Sequence, residues 1–205
     1  MGFYARRILP FIFDQGGNTP EFNGYRQRLL ATARGRVLEI GFGPGLSAPY
    51  YPQAVEHVVA IDPNDGNRAR ALKRISEAPV PIELRVAAGE QLPLEDASFD
   101  CVVTSMTLCS VTDLQRTLSE ISRVLKPDGR YLLWEHGLSD DPAVQKWQHR
   151  LNGLQMRMFG GCRLDRPIRR TVEGAGFHFD TVETFYFKSV PRPLSFATLG
   201  SAVRQ

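Results

Sequence analysis

The chain has 205 residues, of which 42% are hydrophobic and 23% are charged, and these values are typical of one globular domain. Its formal net charge of +3 is too small to predict nucleic-acid binding, which needs a concentrated basic surface. No stretch approaches the roughly 18 consecutive apolar residues of a membrane-spanning helix, and the apolar run at 8–13 is shorter than a signal-peptide core. We therefore expect a cytoplasmic location.

The three cysteines, Cys101, Cys109 and Cys162, form neither an even set nor a closely spaced ligand pattern. Such spacing is typical of reduced thiols, so we expect neither a disulfide framework nor a zinc site. Cys109 and Cys162 are interpreted as small buried hydrophobic residues rather than nucleophiles.

Apolar, strand-like runs alternate with amphipathic helical stretches along the chain, and this order predicts a mostly parallel sheet covered by helices. A first helix has Thr19 as its cap and ends near Ala33, just before Gly35. The first five strands are predicted at 36–40, 57–62, 82–87, 99–104 and 131–135. Pro49 and Pro52 shorten the crossover between the first two strands.

Two further helices follow from local signals. Asn64 caps a helix that runs to about Glu77, and Asp113 opens a helix with apolar residues at the spacing of one buried face. The second helix ends at the 126–129 turn. Residues 137–176 have a helical, aromatic composition, and 177–187 and 194–203 return to strand composition. The core thus carries one insertion before a final hairpin.

The densest basic stretch lies in the 137–176 segment and consists of Arg163, Arg166, Arg169 and Arg170. We interpret it as a solvated helix face or a surface that pairs with carboxylates. An anionic substrate or a lipid head group is the alternative.

The first chemical pattern is the glycine loop Gly41-Phe42-Gly43-Pro44-Gly45 at the carboxyl end of the first strand, where open α/β sheets bind ligands. Glycines allow the backbone to turn sharply and to approach a ligand closely. A connecting turn explains the loop equally well. Asp62, about twenty residues beyond the first glycine and at the end of the next strand, favours a nucleoside site, because a carboxylate there accepts both ribose hydroxyl protons.

The sequence of the loop also indicates which kind of nucleoside cofactor it binds. A dinucleotide fingerprint has glycine at its sixth position, where this chain has Leu46. Glu39, two residues before the first glycine, is unfavourable for a pyrophosphate and compatible with a cationic methionine group.

With these residues the sequence resembles the class I S-adenosylmethionine-dependent methyltransferases, from about Val37 to about Phe177. The resemblance implies an α/β, Rossmann-like three-layer sandwich with a seven-stranded, mostly parallel sheet and an antiparallel last strand. It implies one domain over 1–205, with a helical lid (1–35), a cofactor-binding core (36–136), a helical substrate insertion (137–176) and a final strand hairpin (177–205). The implied cofactor is S-adenosylmethionine, and the product is S-adenosylhomocysteine.

The resemblance also implies roles for individual residues. Gly41, Gly43 and Gly45 would line the methionine and ribose, Glu39 would orient the amino group, and Asp62 would hold the ribose. Pro63 and Asn64 would flank the adenine, and Thr104, Ser105 and the residues up to Leu108 would close over the methionine end. Where the family has an aspartate contact to the adenine amine, this chain has Ala88, so Glu90 or the backbone of Ala88 and Gly89 would take that role.

Within the superfamily the chain is most similar to small proteins that methylate alkyl thiols, through the stretches 61–64, 87–90, 107–111, 135–136 and 161–162. It is also similar to ubiquinone/menaquinone-type and phospholipid methyltransferases, including those of methyltransferase type 11. The acceptor therefore remains a thiol, a quinol or a lipid amine. Relatives that act on thiols have a hydrophobic amino-terminal membrane anchor, whereas this chain has only the short apolar run at 8–13. Peripheral contact with membrane or acyl chains stays an open alternative, and no nucleic-acid partner is expected.

His136 follows the fifth strand and is the candidate general base, with a structural histidine as the alternative. Four side chains, Tyr4, Trp147, Met156 and Phe159, are candidates for an apolar acceptor pocket, with core packing as the alternative. Two other functions remain open: a regulatory module that binds the cofactor without transfer, and a nicotinamide-dependent oxidoreductase.

Overall fold

The computed structural model describes Tyr4 and residues 8–205. The helices are α1 (Leu9–Gly17), α2 (Pro20–Leu30), α3 (Arg68–Ile75), α4 (Leu114–Val124), α5 (Pro142–Met158) and α6 (Ile168–Gly174). The strands are β1 (Gly35–Ile40), β2 (Val55–Ile61), β3 (Ile82–Arg85), β4 (Phe99–Ser105), β5 (Leu125–His136), β6 (Phe177–Tyr186) and β7 (Phe196–Arg204).

All seven strands form one sheet in the order β3-β2-β1-β4-β5-β7-β6. The first five strands are parallel, and β7 runs antiparallel to both β5 and β6. The predicted α/β class and the antiparallel last strand are therefore confirmed.

Local signals in the sequence explain where the helices begin. The Thr19 hydroxyl accepts a hydrogen bond from the backbone N–H of Phe22 at the start of α2. The Asp113 carboxylate accepts one from the N–H of Arg116 at the start of α4. Each cap satisfies one of the N–H groups that the first helical turn leaves without a partner.

Several predicted boundaries were wrong, and three of them have a visible cause. The Asn64 side chain accepts from the N–H of Gly66 and begins a 3-10 turn (Asp65–Asn67), so α3 starts only at Arg68. Strand β3 stops at Arg85, since it is an edge strand paired only with β2. Strand β5 begins at Leu125, before the predicted turn, because Leu125 pairs with Phe99 across an irregularity in the ladder.

A hydrophobic core covers each face of the sheet. On one face α4 and α6 pack through Leu118, Ile121 and Val172. On the other face α2 packs on Trp134, whose ring centroid lies 5.5 Å from Phe22 and 5.6 Å from Tyr25. The chain thus forms a three-layer α/β/α arrangement, in which α2 is part of an outer layer.

The register of the parallel strands aligns their carboxyl ends. Ile40 of β1 pairs with Ile61 of β2 and Thr104 of β4, and Ser105 pairs with Trp134 of β5. The segments that follow β1, β2, β4 and β5 therefore meet at one edge of the sheet, where α/β folds bind ligands. In the described part of the chain, no helix is both long and apolar enough to span a bilayer.

Candidate cofactor and acceptor site

The glycine loop after β1 has a backbone that only glycine adopts easily. Gly41, Gly43 and Gly45 have φ angles of +78°, +56° and +81°, in the left-handed region that L side chains disfavour. A Cβ at Gly41 would lie 2.1 Å from Thr107 Oγ1, and one at Gly45 would lie 3.3 Å from the Ala71 backbone. At Gly43 the nearest atom would be 4.0 Å away. Gly41 and Gly45 thus permit packing, whereas Gly43 borders open space that a ligand can occupy.

Asp62, directly after β2, holds this loop. Its Oδ2 accepts a hydrogen bond of 2.6 Å from the N–H of Gly43, and its Oδ1 accepts one of 2.7 Å from the N–H of Asn64. Burial raises the pKa of the carboxyl, against the effect of these two bonds. The Asn67 side chain also hydrogen-bonds to this carboxylate. The structure therefore places Asp62, the predicted ligand of the ribose, beside the middle glycine of the loop.

Glu39 lies beneath the loop. Its carboxylate accepts hydrogen bonds of 2.7 Å from the hydroxyls of Ser47 and Tyr51. Burial raises its pKa to about 7, although these hydroxyls act in the opposite direction. Its predicted contact with the methionine amino group remains a prediction, since the carboxylate is committed to two partners of this chain.

The residues predicted for the adenine end divide into two groups. Pro63 and Ala88 are exposed at the edge, whereas Gly89 is buried, and a Cβ there would lie 2.9 Å from Ile40 Cγ2. Glu90 Oε1 accepts a hydrogen bond of 2.7 Å from the N–H of Thr112. Glu90 thus tethers the loop before α4, and its other carboxylate oxygen is the one that remains for the predicted adenine contact.

The segment after β4 is anchored by Glu135. Its Oε2 accepts hydrogen bonds of 2.9 Å from the N–H groups of both Thr107 and Leu108. Burial raises the pKa of Glu135 to about 8. The preceding Met106 has a φ of +56°, which turns the chain so that these N–H groups face the carboxyl group.

Thr104 does not occupy its predicted place over the methionine end. Its side chain is fully buried and its hydroxyl lies 2.8 Å from the Tyr131 hydroxyl, inside the sheet's core. The alternation of side chains along β4 is the reason, because neighbouring residues point to opposite faces. Ser105 is half-buried at the end of the strand. Thr107 lies in the segment predicted to close over the methionine end, and its hydroxyl contacts the Gly41 carbonyl of the glycine loop at 3.5 Å.

His136 ends β5 and lies in a cluster with two thiols. The Sγ atoms of Cys109 and Cys162 lie 3.5 Å apart, and Cys162 Sγ lies 3.5 Å from His136 Nδ1. Contact with Cys109 lowers the pKa of Cys162, and the same contact raises that of Cys109. His136 is 2% exposed, and its Nε2 has no hydrogen-bond partner in the part of the chain described.

The prediction that both thiols are buried is confirmed, but it did not place them together. Cys109 and Cys162 are 53 residues apart, so spacing could not show that they meet. The sequence indicated this cluster only through two stretches of the family resemblance, 135–136 and 161–162. Ser47 and Tyr51, the partners of Glu39, were indicated by no signal in the sequence.

The arginine-rich stretch is a pairing surface, as predicted. Arg163 pairs with Asp165, and Arg169 pairs with Glu173. Arg166 instead donates to the backbone carbonyls of Leu108 and Val111, and so ties the segment after α5 to the segment after β4.

The four candidates for an apolar pocket do not form one buried wall. Trp147 is 53% exposed, Tyr4 and Met156 are also exposed, and Phe159 is half-buried. The alternative, that these four side chains pack in the core, is therefore not supported by their exposure. A cavity of about 490 Å³ does lie between the segment after β5 and the start of α6, lined in part by Gly137, Ser139 and Arg170. None of the predicted cofactor ligands lines it.

Comparison with known proteins identifies the family. Residues 38–133 match the family described as "Methyltransferase domain". Thiol S-methyltransferase TMT1A of Homo sapiens is 34% identical over 164 residues, which cover 78% of this chain and 64% of that protein. Phosphatidylethanolamine N-methyltransferase of Cereibacter sphaeroides is 36% identical over 147 residues, 68% of this chain and 70% of that protein. The chain thus spans less than two thirds of TMT1A.

Solved structures agree on the fold. The YcgJ protein of Bacillus subtilis superposes with a TM-score of 0.71 at 18% identity, covering 89% of this chain and 98% of that one. A geranyl diphosphate methyltransferase in complex with S-adenosylmethionine gives 0.70 at 17% identity, covering 89% and 84%. The oxidoreductase alternative has no counterpart in these matches. With its glycine loop and Asp62 at the shared sheet edge, the chain belongs to the class I S-adenosylmethionine-dependent methyltransferases.

Proposed function

We propose that the chain transfers the methyl group of S-adenosylmethionine to the sulfur of a small, apolar thiol. The observation that carries the proposal is the similarity to thiol S-methyltransferases, 34% identity over 78% of the chain for TMT1A. Since the chain spans only part of that relative, its acceptor has to be established directly.

The chain's own residues supply position rather than acid–base chemistry. Bound S-adenosylmethionine supplies a methyl group on a positively charged sulfur. Asp62 fixes the middle of the glycine loop, and Glu135 fixes Thr107 and Leu108 opposite it. Alignment of two reactants in this way is worth about 7–11 kcal/mol of activation free energy.

A thiol acceptor suits this arrangement. An ordinary thiol has a pKa of about 8.5 and is partly ionised near neutral pH, so it needs less help from a base than an amine or a phenol. The one histidine at the edge, His136, is buried and its Nδ1 faces Cys162. Transfer to an acceptor that ionises easily therefore needs no general base from a side chain of this protein.

A lipid amine is the second candidate. It is favoured by the 36% identical phosphatidylethanolamine N-methyltransferase and by exposed apolar side chains on α1 and α5. These include Phe11, Phe13, Trp147, Leu154 and Met158. Apolar residues on a surface suit contact with acyl chains at the periphery of a membrane.

The test is methyl transfer from labelled S-adenosylmethionine to a panel of alkyl thiols, a demethylated quinol and phosphatidylethanolamine vesicles. We expect transfer to the thiols, with little to the amine or the quinol, and transfer reduced at least about tenfold with Asp62→Ala at limiting cofactor. Transfer to the lipid or quinol alone would replace the thiol assignment. No transfer to any acceptor, despite cofactor binding, would favour a regulatory module.

A further inference from the structure

Three potential metal ligands from distant parts of the chain converge at the acceptor side of the site. Cys109 lies in the segment after β4, His136 is the last residue of β5, and Cys162 lies between α5 and α6. Their Sγ and ring nitrogen atoms all lie within 4.8 Å of one another. All three side chains are buried, so this proximity is fixed by the fold rather than by chance encounters at a surface.

Two of the three separations fit the edges of a metal tetrahedron. Zinc binds sulfur at about 2.3 Å and imidazole nitrogen at about 2.0–2.1 Å, which places two sulfurs about 3.8 Å apart and a sulfur and a nitrogen about 3.6 Å apart in a tetrahedral site. The observed separations are 3.5 Å between Cys109 Sγ and Cys162 Sγ, and 3.5 Å between Cys162 Sγ and His136 Nδ1. The third separation, between Cys109 Sγ and the His136 ring nitrogen, is within 4.8 Å, so these two groups would move closer by up to about 1.2 Å to complete the tetrahedron.

Backbone and side-chain contacts hold the three ligands in place. The N–H of Arg163 donates to the carbonyl of Cys109 at 2.9 Å, and Gln155 Nε2 lies 3.7 Å from Cys162 Sγ. Arg166 donates to the Val111 carbonyl at 2.6 Å. The segments that carry the two cysteines are thus joined directly, as a preorganised site requires.

We propose that Cys109, Cys162 and His136 Nδ1 form a zinc site whose fourth position accepts an external sulfur ligand. Two thiolates and an imidazole are donors that zinc prefers. Three protein ligands with one open position characterise catalytic rather than structural zinc sites. Among the described residues the group has no fourth histidine, cysteine or carboxylate.

The proposed fourth ligand rests on the thiol acceptor inferred above. As the acceptor binds, its S–H bond breaks, the proton passes to solvent and a zinc–sulfur bond forms, because a coordinated thiol is deprotonated. Cys109 is two residues from Thr107, which packs against Gly41 of the cofactor loop. The acceptor sulfur would thus be held as a thiolate at the edge of the cofactor site.

Zinc binding by the full-length chain tests the site without cofactor or acceptor. After removal of metals under reducing conditions, zinc is titrated in competition with a chromophoric chelator. We expect one zinc per chain for the wild type and for Cys101→Ser, a control because Cys101 is buried elsewhere in the core. Cys109→Ser and Cys162→Ser should each bind at least about 100-fold more weakly, since loss even of groups that support ligands costs 10–100-fold.

Cobalt substitution tests the ligands and the open position. Thiolate-to-cobalt charge-transfer bands should appear for the wild type, diminish in both ligand variants, and change when a small alkyl thiol is added. The thermal shift with S-adenosylhomocysteine shows which variants are folded.

The proposal is overturned by a wild type that binds no stoichiometric zinc, by a Cys109–Cys162 disulfide in place of metal binding, or by equal losses in Cys101→Ser. Bands unchanged by added thiol would contradict the open fourth position. Failure of thiol methylation alone would overturn the proposed function but not the metal site, because the zinc titration does not depend on it.

Discussion

At the scale of single residues, two carboxylates organise the site in different ways, Asp62 half-buried and Glu135 fully buried. Asp62 joins the segment after β2 to the glycine loop, and Glu135 joins β5 to the segment after β4. Each accepts hydrogen bonds from backbone N–H groups of another segment, so each fixes main chain. Their removal should therefore affect the shape of the site as well as its charge.

Asp62→Ala should weaken S-adenosylhomocysteine binding by at least about tenfold. A hydrogen bond to a charged group is worth about 1.5–3 kcal/mol, and each 1.4 kcal/mol is tenfold in affinity. Isothermal titration calorimetry measures the change, with Asp65→Ala as the control, because Asp65 is exposed three residues away. An unchanged dissociation constant for Asp62→Ala would show that the ribose contact is misplaced.

Glu135→Gln should make the protein more stable than the wild type at high pH. Burial raises the pKa of Glu135 to about 8 in the folded protein, whereas an unfolded glutamate titrates near pH 4.3. The folded state therefore holds its proton longer, and the wild type loses stability as the pH rises from about 4.3 to about 8. Glutamine keeps an acceptor for the Thr107 and Leu108 N–H groups without this loss.

Urea unfolding at about pH 5, 7 and 9 measures the difference. The stability advantage of Glu135→Gln should grow over this range to a few kcal/mol and then level off. The corresponding variant Glu39→Gln should show the same sign, with its change complete near pH 7. A difference that is constant or shrinks with pH would contradict the buried, protonated carboxyl group.

At the scale of elements, the sequence predicted the helices and strands wherever a local cause sets them. The caps Thr19 and Asp113 and the alternation of apolar runs depend on nearby residues, and the structure confirms them. The start of α3, the end of β3 and the start of β5 depend on strand partners or on a competing turn. Boundaries set by tertiary contacts of this kind cannot be predicted from the local sequence.

The glycine loop gives a matched pair of substitutions. Gly43→Ala should keep the fold at a cost of about 1–2 kcal/mol for its positive φ but should greatly weaken cofactor binding, because its methyl group would enter the open space. Gly41→Ala should destabilise the fold more than Gly43→Ala does, because its Cβ would collide with Thr107. Thermal unfolding and calorimetry separate the two effects.

Gly176→Ala controls for backbone strain alone, because its φ is +87° and a Cβ there would meet nothing within 4 Å. It should lower stability about as much as Gly43→Ala and leave cofactor affinity unchanged. Equal cofactor affinity for Gly43→Ala and Gly176→Ala would mean that the space beside Gly43 is not the cofactor's.

At the scale of the whole molecule, the sequence predicted one end of the site better than the other. The cofactor end depends on Gly41, Gly43 and Asp62, which follow consecutive strands and so carry a recognisable spacing. The cluster at the end of β5, by contrast, brings together Cys109 and Cys162, which lie 53 residues apart in the sequence. Residues that meet through topology alone cannot be found by spacing.

S-adenosylhomocysteine should raise the melting temperature of the protein, and NAD should not. A ligand that binds only the folded state at 100 times its dissociation constant adds about 2.7 kcal/mol, which corresponds to roughly 5–10 °C for a chain of this size. Differential scanning fluorimetry at matched ligand concentrations measures both. A larger shift with NAD would contradict the glycine-loop assignment.

The close fit of Thr107 against Gly41 has a consequence for protein engineering. Thr107 occupies the space that a side chain at position 41 would need. The glycine loop and the segment 106–111 are therefore shaped for each other, and we expect that they have to be exchanged together. A chimaera that receives a new acceptor specificity by exchange of residues 106–111 alone would bring in a side chain not matched to that space. Transplantation should succeed only when residues 39–46 and 106–111 are taken from the same parent.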